Sequence, residues 1–253
     1  MKRLAELTWQ EAEAERKKAP IVLLPIGSTE AHGPHLPLAT DAILSDELAA
    51  RAAAALEAEG RVVLIAPTLS YAITDYAAAF AGTISLVAET ATLLVADVCS
   101  AFIAQGFTKV CLVNSHLEPA HVVSLKEACA RVEQRTAVKV AFPDQLDRRW
   151  ARTLTDEYKR GACHAGSYET SLVLAARPEL VKNDVRAKLA PVPIDLARAM
   201  KAGQRTFAEA GAHDAYFGDP AAATVEEGDA IYALLVTMVV ETVREHFAST
   251  SPP

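Results

Sequence analysis

The sequence has few cysteines, and none of them lies in a pattern typical of a zinc site or a disulfide scaffold. Its 253 residues include four cysteines, and no two of them form a CxxC pair. Cysteine-rich zinc sites and small disulfide-bonded domains depend on such regular spacings. The cysteines are therefore expected to be buried, reduced thiols.

Long hydrophobic runs and an excess of positive charge are also missing. The most apolar runs, 21–26 and 230–240, are too short to span a bilayer. The start at Met1 leads into a polar stretch without an apolar signal region, so we expect a cytoplasmic protein. The net charge of −7 argues against nucleic acid or an anionic membrane as the main partner.

With 51% hydrophobic residues and no evident linker, residues 1–253 are predicted to form a single domain in which strands and helices alternate. Continuous apolar runs predict buried strands at 21–26, 61–66, 109–113 and 138–142. Helical periods and caps predict helices at 8–18, 41–59, 86–105, 120–135, 169–176 and 226–247. Residues 184–223 are expected to be irregular and 249–253 frayed. This order predicts an α/β fold with a mostly parallel sheet covered on both faces.

Three potential metal ligands follow the first of these strands. Glu30 and His32 are two residues apart, so in extended backbone their side chains point the same way, and Asp41 comes shortly after. Glycines and prolines restrict the loop between them, and a mixed imidazole and carboxylate set suits zinc, manganese or iron. The alternative is structural, because Asp41 is also well placed as the N-cap of the next helix.

Two further polar clusters follow later in the chain. His116 and Glu118, again two residues apart, come directly after the strand at 109–113, where they could instead cap the next helix. His164 and Glu169 lie on either side of a glycine turn, where Glu169 could simply stabilise the first turn of a helix. Ligands of parallel sheets bind at the carboxyl ends of the strands, so these clusters are expected to lie together.

Three segments resemble the creatininase (creatinine amidohydrolase) family. They read LPIGSTEAHGPHLPLATDA from residue 24, VNSHLE from residue 113 and HAGSYETSLVLA from residue 164, and the likeness extends over residues 5–240. The resemblance implies a three-layer α/β/α sandwich that assembles as a homo-oligomer, often a hexamer. It also implies two divalent metal ions, zinc, manganese or iron, and hydrolysis of amide C–N bonds in a small, often cyclic, substrate.

The resemblance also implies a role for each matching metal ligand. Glu30 and His116 would hold one ion, and His32 and Glu169 would hold the other. Asp41 would bridge the two ions, which is a different role from the helix cap that its position alone indicates.

The remaining matches concern catalysis and the substrate. Glu118 would be either a metal ligand or the base that handles the attacking water, and His164 would polarise the carbonyl or protonate the leaving nitrogen. Trp150 precedes His164 where creatininase has tryptophans in a lid, but the second tryptophan is absent. Asp75 and Tyr76 follow the end of the second strand and are expected to face the substrate.

The same set of residues is compatible with several functions. Relatives act on creatinine, formamidopyrimidine intermediates, a short peptide precursor and cyclic polyol derivatives, so a peptide or formamide hydrolase of the same family is an alternative to a cyclic amidohydrolase. A second alternative is ring opening of a non-amide substrate such as a cyclic diketone. A third is a binding module without catalysis, which the costly polar pair Glu118 and His164 argues against.

Overall fold

The computed structural model describes residues 1–161 and 163–248, so the predicted fraying of 249–253 concerns residues outside this description. Four strands are described: β1 (Lys2–Arg3), β2 (Ile21–Ile26), β3 (Val63–Ile65) and β4 (Lys109–Asn114). The larger α-helices of these residues are α1 (Trp9–Arg16), α2 (Thr40–Ala58), α3 (Ala88–Ala104), α4 (Pro119–Thr136), α7 (Ser167–Ala176) and α10 (Val225–Phe247). Shorter α-helices are α5 (Arg148–Ala151), α6 (Asp156–Lys159), α8 (Asn183–Arg186) and α9 (Leu196–Lys201). Single 3₁₀ turns cover Leu4–Glu6, Pro178–Leu180 and Pro220–Ala222.

The four strands form one parallel sheet in the order β1-β3-β2-β4. All six residues of β2 are buried, as expected for a strand with helices on both faces. Its residues alternate between two hydrophobic clusters: Ile21 and Leu23 pack with α2, α7 and α10, whereas Val22 and Leu24 pack with α3 and α4. The predicted three-layer α/β/α sandwich is therefore confirmed.

Most predicted elements appear with ends shifted by a few residues. The helix predicted at 8–18 is α1, and Thr8 and Glu11 form the capping box expected at its start. The strand predicted at 138–142 is wrong as an extended strand, because only Ala141 bridges to Cys111 at the edge of the sheet. Pro143 follows directly, and a proline lacks the N–H needed to continue the pairing. The two-residue strand β1 was not predicted.

The irregular segment predicted at 184–223 is confirmed in outline, since it contains only α8, α9 and a 3₁₀ turn within the described residues. Part of it packs as a third, smaller hydrophobic cluster around Phe207 and Phe217. Among the described residues, no helix is long and apolar enough to cross a bilayer.

Candidate metal centre

The carboxyl edge of the sheet collects the polar clusters from neighbouring strands. β2 and β4 are paired up to Ile26 and Asn114, so the loops that follow them leave the sheet side by side. The first loop carries Glu30 and His32, and the second carries His116. All three side chains are buried. Adjacent strands thus bring together residues that are more than eighty positions apart in the sequence.

A close backbone approach places Asp41 in the same site. A Cβ atom at Gly27 would lie 2.4 Å from the Ala42 nitrogen and 2.5 Å from the Asp41 carbonyl carbon. Only glycine therefore allows the end of β2 to touch the start of α2. This contact turns the first turn of α2, with Asp41, toward the loop after β2.

Asp41 lies between two histidines. Its Oδ1 is 3.2 Å from His32 Nε2, and its Oδ2 is 2.9 Å from His116 Nδ1. Glu169, from the start of α7, lies 3.5 Å from His32 Nε2, and Glu30 lies 3.2 Å from His116 Nδ1. Among the described residues, three sets of donor atoms are close enough to share an ion: Glu30, Asp41 and His116; His32, Asp41 and Glu169; Glu30, His32 and His164.

Carbonyl oxygens fix which nitrogen of each histidine is free. His32 Nδ1 is 3.1 Å from the Glu30 carbonyl, and His116 Nε2 is 2.7 Å from the Ile73 carbonyl. A carbonyl only accepts hydrogen bonds, so these nitrogens carry the protons. In the neutral rings, His32 Nε2 and His116 Nδ1 then carry no proton, and each presents its lone pair to the Asp41 carboxylate. His32 Nε2 is buried and has no hydrogen-bond partner.

Buried lone pairs and carboxylates that face one another need a cation between them. The donor set of imidazole nitrogens and carboxylate oxygens fits zinc, manganese or iron. Burial opposes protonation of His32, but Asp41, Glu169 and Glu30 outweigh it and raise its pKa to about 10. Burial raises the pKa of Glu169 to about 8, against the opposing effect of His32. Without an ion, the cluster holds protons in the place that a divalent metal would take.

Outer contacts hold the carboxylates in place. Ser28 Oγ donates to Asp41 Oδ2 at 2.7 Å, and the Ala165 N–H donates to Glu169 Oε2 at 2.6 Å. The Thr74 hydroxyl donates to the Glu30 carboxylate. Such contacts limit the rotation of the ligands.

Glu118 lies in the wall of a cavity of about 430 Å³ above these residues. Its carboxylate accepts hydrogen bonds from the backbone N–H groups of Asp75 at 3.1 Å and Tyr76 at 3.3 Å. Burial raises its pKa to about 7 despite His116 and these two donors. Glu118 belongs to none of the three donor sets found among the described residues.

His164 is buried at the bottom of the same cavity. Its Nε2 donates to the Ala31 carbonyl at 2.9 Å, so the neutral ring has its lone pair on Nδ1. The ring lies 4.4 Å from the His32 ring and 4.3 Å from the Phe207 ring, measured between centroids. Burial, together with the nearby His32, lowers its pKa to about 4, so the ring is neutral near neutral pH. A proton taken up at Nδ1 would be released readily, because the low pKa makes the protonated ring a strong acid.

The three predicted substrate residues lie in different places. Tyr76 lines the cavity, whereas the Asp75 side chain accepts a hydrogen bond from Ser85 and contributes only its backbone N–H. Trp150 packs against the main hydrophobic cluster, with the Arg149 guanidinium 4.3 Å from its ring centroid. Trp150 is not among the described residues that line the cavity.

Sequence reasoning missed several apolar and cationic residues around the cavity. Leu196, Met200 and Phe207 come from the segment that was predicted only as irregular. Lys159 and Arg160, at the end of α6, also line it. These residues carry no periodic pattern or motif, so no signal in the sequence alone marked them.

The chain has the fold and the donor groups of a metal-binding hydrolase. The family model for creatinine amidohydrolase matches residues 5–243, and the chain belongs to the creatininase family of hydrolases. A mycofactocin precursor peptide peptidase of Mycobacterium tuberculosis is 31% identical, over 89% of this chain and 85% of the relative. A creatinine amidohydrolase of Pseudomonas putida is 28% identical over 98% of each chain.

Solved structures of creatininases also resemble this chain. A crystal structure of creatinine amidohydrolase matches 98% of each chain with a TM-score of 0.74 and 25% identity. Related creatininase structures are described as a manganese form and a Zn-Zn form. The family resemblance predicted from the sequence is confirmed.

Proposed function

We propose that the protein is a dinuclear metal-dependent amidohydrolase that cleaves the C–N bond of a small amide. One observation carries this proposal: the two oxygens of Asp41 face the free nitrogens of two different histidines, His32 and His116. A carboxylate in that position can bridge two ions. The zinc and manganese forms of related creatininases support a divalent metal of this kind.

The donor sets divide the remaining ligands between two ions. Glu30 and His116 would hold one ion, and His32 and Glu169 would hold the other, with Asp41 shared. When bound, the ions would polarise the amide carbonyl and make a water molecule more acidic. Zinc, manganese or iron fits these ligands.

Two residues of the chain handle the protons in this proposal. Glu118 accepts a proton from the attacking water while the new C–O bond forms at the carbonyl carbon, because its pKa of about 7 suits exchange near neutral pH. His164 then transfers a proton to the leaving nitrogen as the C–N bond breaks. Since its Nε2–H is held by Ala31, His164 must first gain at Nδ1 the proton that Glu118 took from the water.

Peptide hydrolysis is the second candidate, and the relative from Mycobacterium tuberculosis favours it. That relative is named a peptidase, whereas the creatinine amidohydrolase from Pseudomonas putida is named for a cyclic amide. Both reactions break an amide C–N bond, so the same metal centre and proton transfers serve either substrate.

Metal analysis followed by substrate screening tests the proposal. The purified protein would be loaded with zinc, manganese or iron, and its metal content measured by mass spectrometry. Cyclic amides, ureas, formamides and short peptides would then be screened for release or new exposure of an amine. We expect two ions per chain and metal-dependent amine release. Full stability and no metal uptake in all three conditions would contradict the proposal.

We also propose that the chain forms a homohexamer, as the family resemblance implies. Exposed apolar side chains such as Trp9, at 75% exposure, and Val87, at 72%, would gain from burial between subunits. Light scattering during size-exclusion chromatography would give the mass directly. A monomer at micromolar concentration would contradict this proposal.

A further inference from the structure

His35 is a buried histidine that belongs to none of the donor sets found among the described residues. It follows His32 by three positions, on the loop after β2 that carries the first metal ligands. A Cβ atom at Gly33 would lie 2.8 Å from His35 Nδ1, so the ring packs directly against the backbone of its own loop. The ring also meets the Tyr216 ring edge to face, with 6.3 Å between the centroids. These contacts fix the position of the His35 ring.

A hydrogen bond joins this ring to α7. His35 Nε2 lies 2.9 Å from Thr170 Oγ1, near the start of the helix. The Thr170 hydroxyl donates to the Ala165 carbonyl at 3.4 Å, so its oxygen accepts the proton of His35. With the proton on Nδ1 instead, His35 would bury an N–H that has no acceptor among the described residues. The loop is therefore the donor and the helix the acceptor.

The start of α7 also determines where Glu169 lies. The Ala165 N–H donates to Glu169 Oε2 at 2.6 Å, and Ala165 has a left-handed backbone with a φ of +51°. A residue with a Cβ atom keeps this conformation only where its surroundings hold it. The bond from Thr170 to the Ala165 carbonyl is one such contact, and His35 orients the Thr170 hydroxyl. His164 also bonds to the loop, but it precedes Ala165 and is not part of α7.

Only one of the two proposed metal positions spans the loop and α7. The ion held by His32, Asp41 and Glu169, named here the α7 ion, needs ligands from both segments. The ion held by Glu30, Asp41 and His116, named the β4 ion, has no ligand on α7. A shift of α7 relative to the loop would therefore disturb the α7 ion and spare the β4 ion.

We propose that His35 is a positioning residue for the α7 ion. Its hydrogen bond to Thr170 keeps the start of α7 at the distance from the loop at which Glu169 and His32 share an ion. His35 contacts neither ion and acts only through the helix. Loss of the bond should weaken one ion selectively, which a general loss of stability would not do. This inference rests on the dinuclear centre of the proposed function.

Replacement of His35 by phenylalanine tests the link, because the ring contact with Tyr216 is kept and the hydrogen bond is lost. Native mass spectrometry and titration with zinc against a chromophoric chelator would give the number of ions and both affinities. We expect the α7 ion to bind about 10–100-fold more weakly and the β4 ion to keep its affinity. His35→Gln, whose amide can donate to Thr170, should restore the α7 ion. Tyr216→Phe, which loses a neighbouring bond to the Ala190 carbonyl, is the matched control and should bind both ions normally.

Second substitutions identify which ion is weakened. Glu169→Ala added to His35→Phe should leave the remaining ion unchanged, whereas Glu30→Ala added to it should weaken that ion. Thr170→Val removes the same hydrogen bond from the helix side with little change of shape, and Thr170→Ser keeps the hydroxyl. Thr170→Val should therefore behave as His35→Phe does, and Thr170→Ser should bind both ions as the wild type does.

Several results would overturn the positioning role. These are two ions of wild-type affinity in His35→Phe and Thr170→Val, equal weakening of both ions, or no recovery in His35→Gln and Thr170→Ser. Thermal unfolding of the metal-free variants would show whether they fold, and failure of both His35→Phe and Thr170→Val to fold would make the bond structural and overturn the role as well. Fewer than two ions in the wild type would instead contradict the proposed dinuclear centre, so the two failures are distinguishable.

Discussion

His32 Nε2 lies 3.2 Å from Asp41 Oδ1, is buried and has no hydrogen-bond partner. Its other nitrogen, Nδ1, is held by the Glu30 carbonyl, so the ring cannot turn its proton toward the carboxylate without losing that bond. A buried lone pair next to a buried carboxylate is unfavourable unless a proton or a metal ion lies between them. Asp41 is not the N-cap that its position in the sequence indicated, because Ala39 precedes α2 and no side chain caps this end of the helix. The Asp41 carboxylate is therefore left for the metal centre.

Replacement of Asp41 by alanine should remove both metal ions. Asp41 is the only residue shared by the donor sets that contain His116 and Glu169, so neither set would be complete without it. Metal content measured by mass spectrometry after dialysis should fall close to zero. Asp97→Ala, on the exposed surface of α3, should keep the wild-type content. Retention of one ion in Asp41→Ala would show that Asp41 does not bridge.

Replacement of His164 by alanine should keep the metal and remove most turnover. The proposed role of His164 is proton transfer, which contributes about 10²–10⁴-fold to rate. Steady-state kinetics on an amide substrate found in the screen, together with metal analysis, would measure both effects. His213→Ala, at an exposed histidine, is the matched control. If His164→Ala lost metal, the set Glu30, His32 and His164 would be a true ligand group instead.

The sequence could predict the sheet and the ligand cluster because both depend on local patterns. Runs such as 21–26 predict buried strands, and polar residues directly after such strands lie at one edge of a parallel sheet. The lining of the cavity was not predictable in the same way. Phe207 comes from a segment without periodicity, and the N–H donors to Glu118 come from Asp75 and Tyr76, more than forty residues away. Such contacts are set by long-range packing.

The ion pairs of Glu15 should make stability depend on pH at the acid end. Glu15 is 5% exposed, and hydrogen bonds from Lys18 at 2.8 Å and Lys2 at 2.5 Å lower its pKa. A carboxylate whose pKa is lowered on folding stabilises the protein above its unfolded pKa, and this contribution is lost as pH falls through the folded pKa.

Glu15→Gln should therefore lower Tm at pH 7, by roughly 2–4 °C for each kcal/mol lost in a chain of this size. The Tm values of the wild-type protein and of Glu15→Gln should converge as the pH falls below the ordinary glutamate pKa of about 4.3. Glu133→Gln, whose partner Lys139 is 3.6 Å away on the surface, should change little at any pH. A Tm difference between wild type and Glu15→Gln that grew as the pH fell would contradict the stabilising role given to the Glu15 ion pairs.

His121 should position His116 through Asn114. His121 Nε2 is 3.1 Å from Asn114 Oδ1, and Asn114 Nδ2 donates to the His116 carbonyl at 2.6 Å. The same Oδ1 accepts from the His116 N–H at 3.3 Å, and the His121 ring lies 5.0 Å from the His116 ring. His121→Phe would keep the ring contact and lose the hydrogen bond to Asn114.

We expect His121→Phe to bind metal about 10–100-fold more weakly, the usual effect of losing a contact that orients a ligand. His121→Gln, whose side-chain amide can donate to Asn114, should recover most of that affinity. Competition with a chromophoric chelator would give both affinities, and thermal unfolding of the metal-free variants would show whether the fold is intact. Equal affinity in His121→Phe and wild type would show that His116 is held well enough by the Ile73 carbonyl alone.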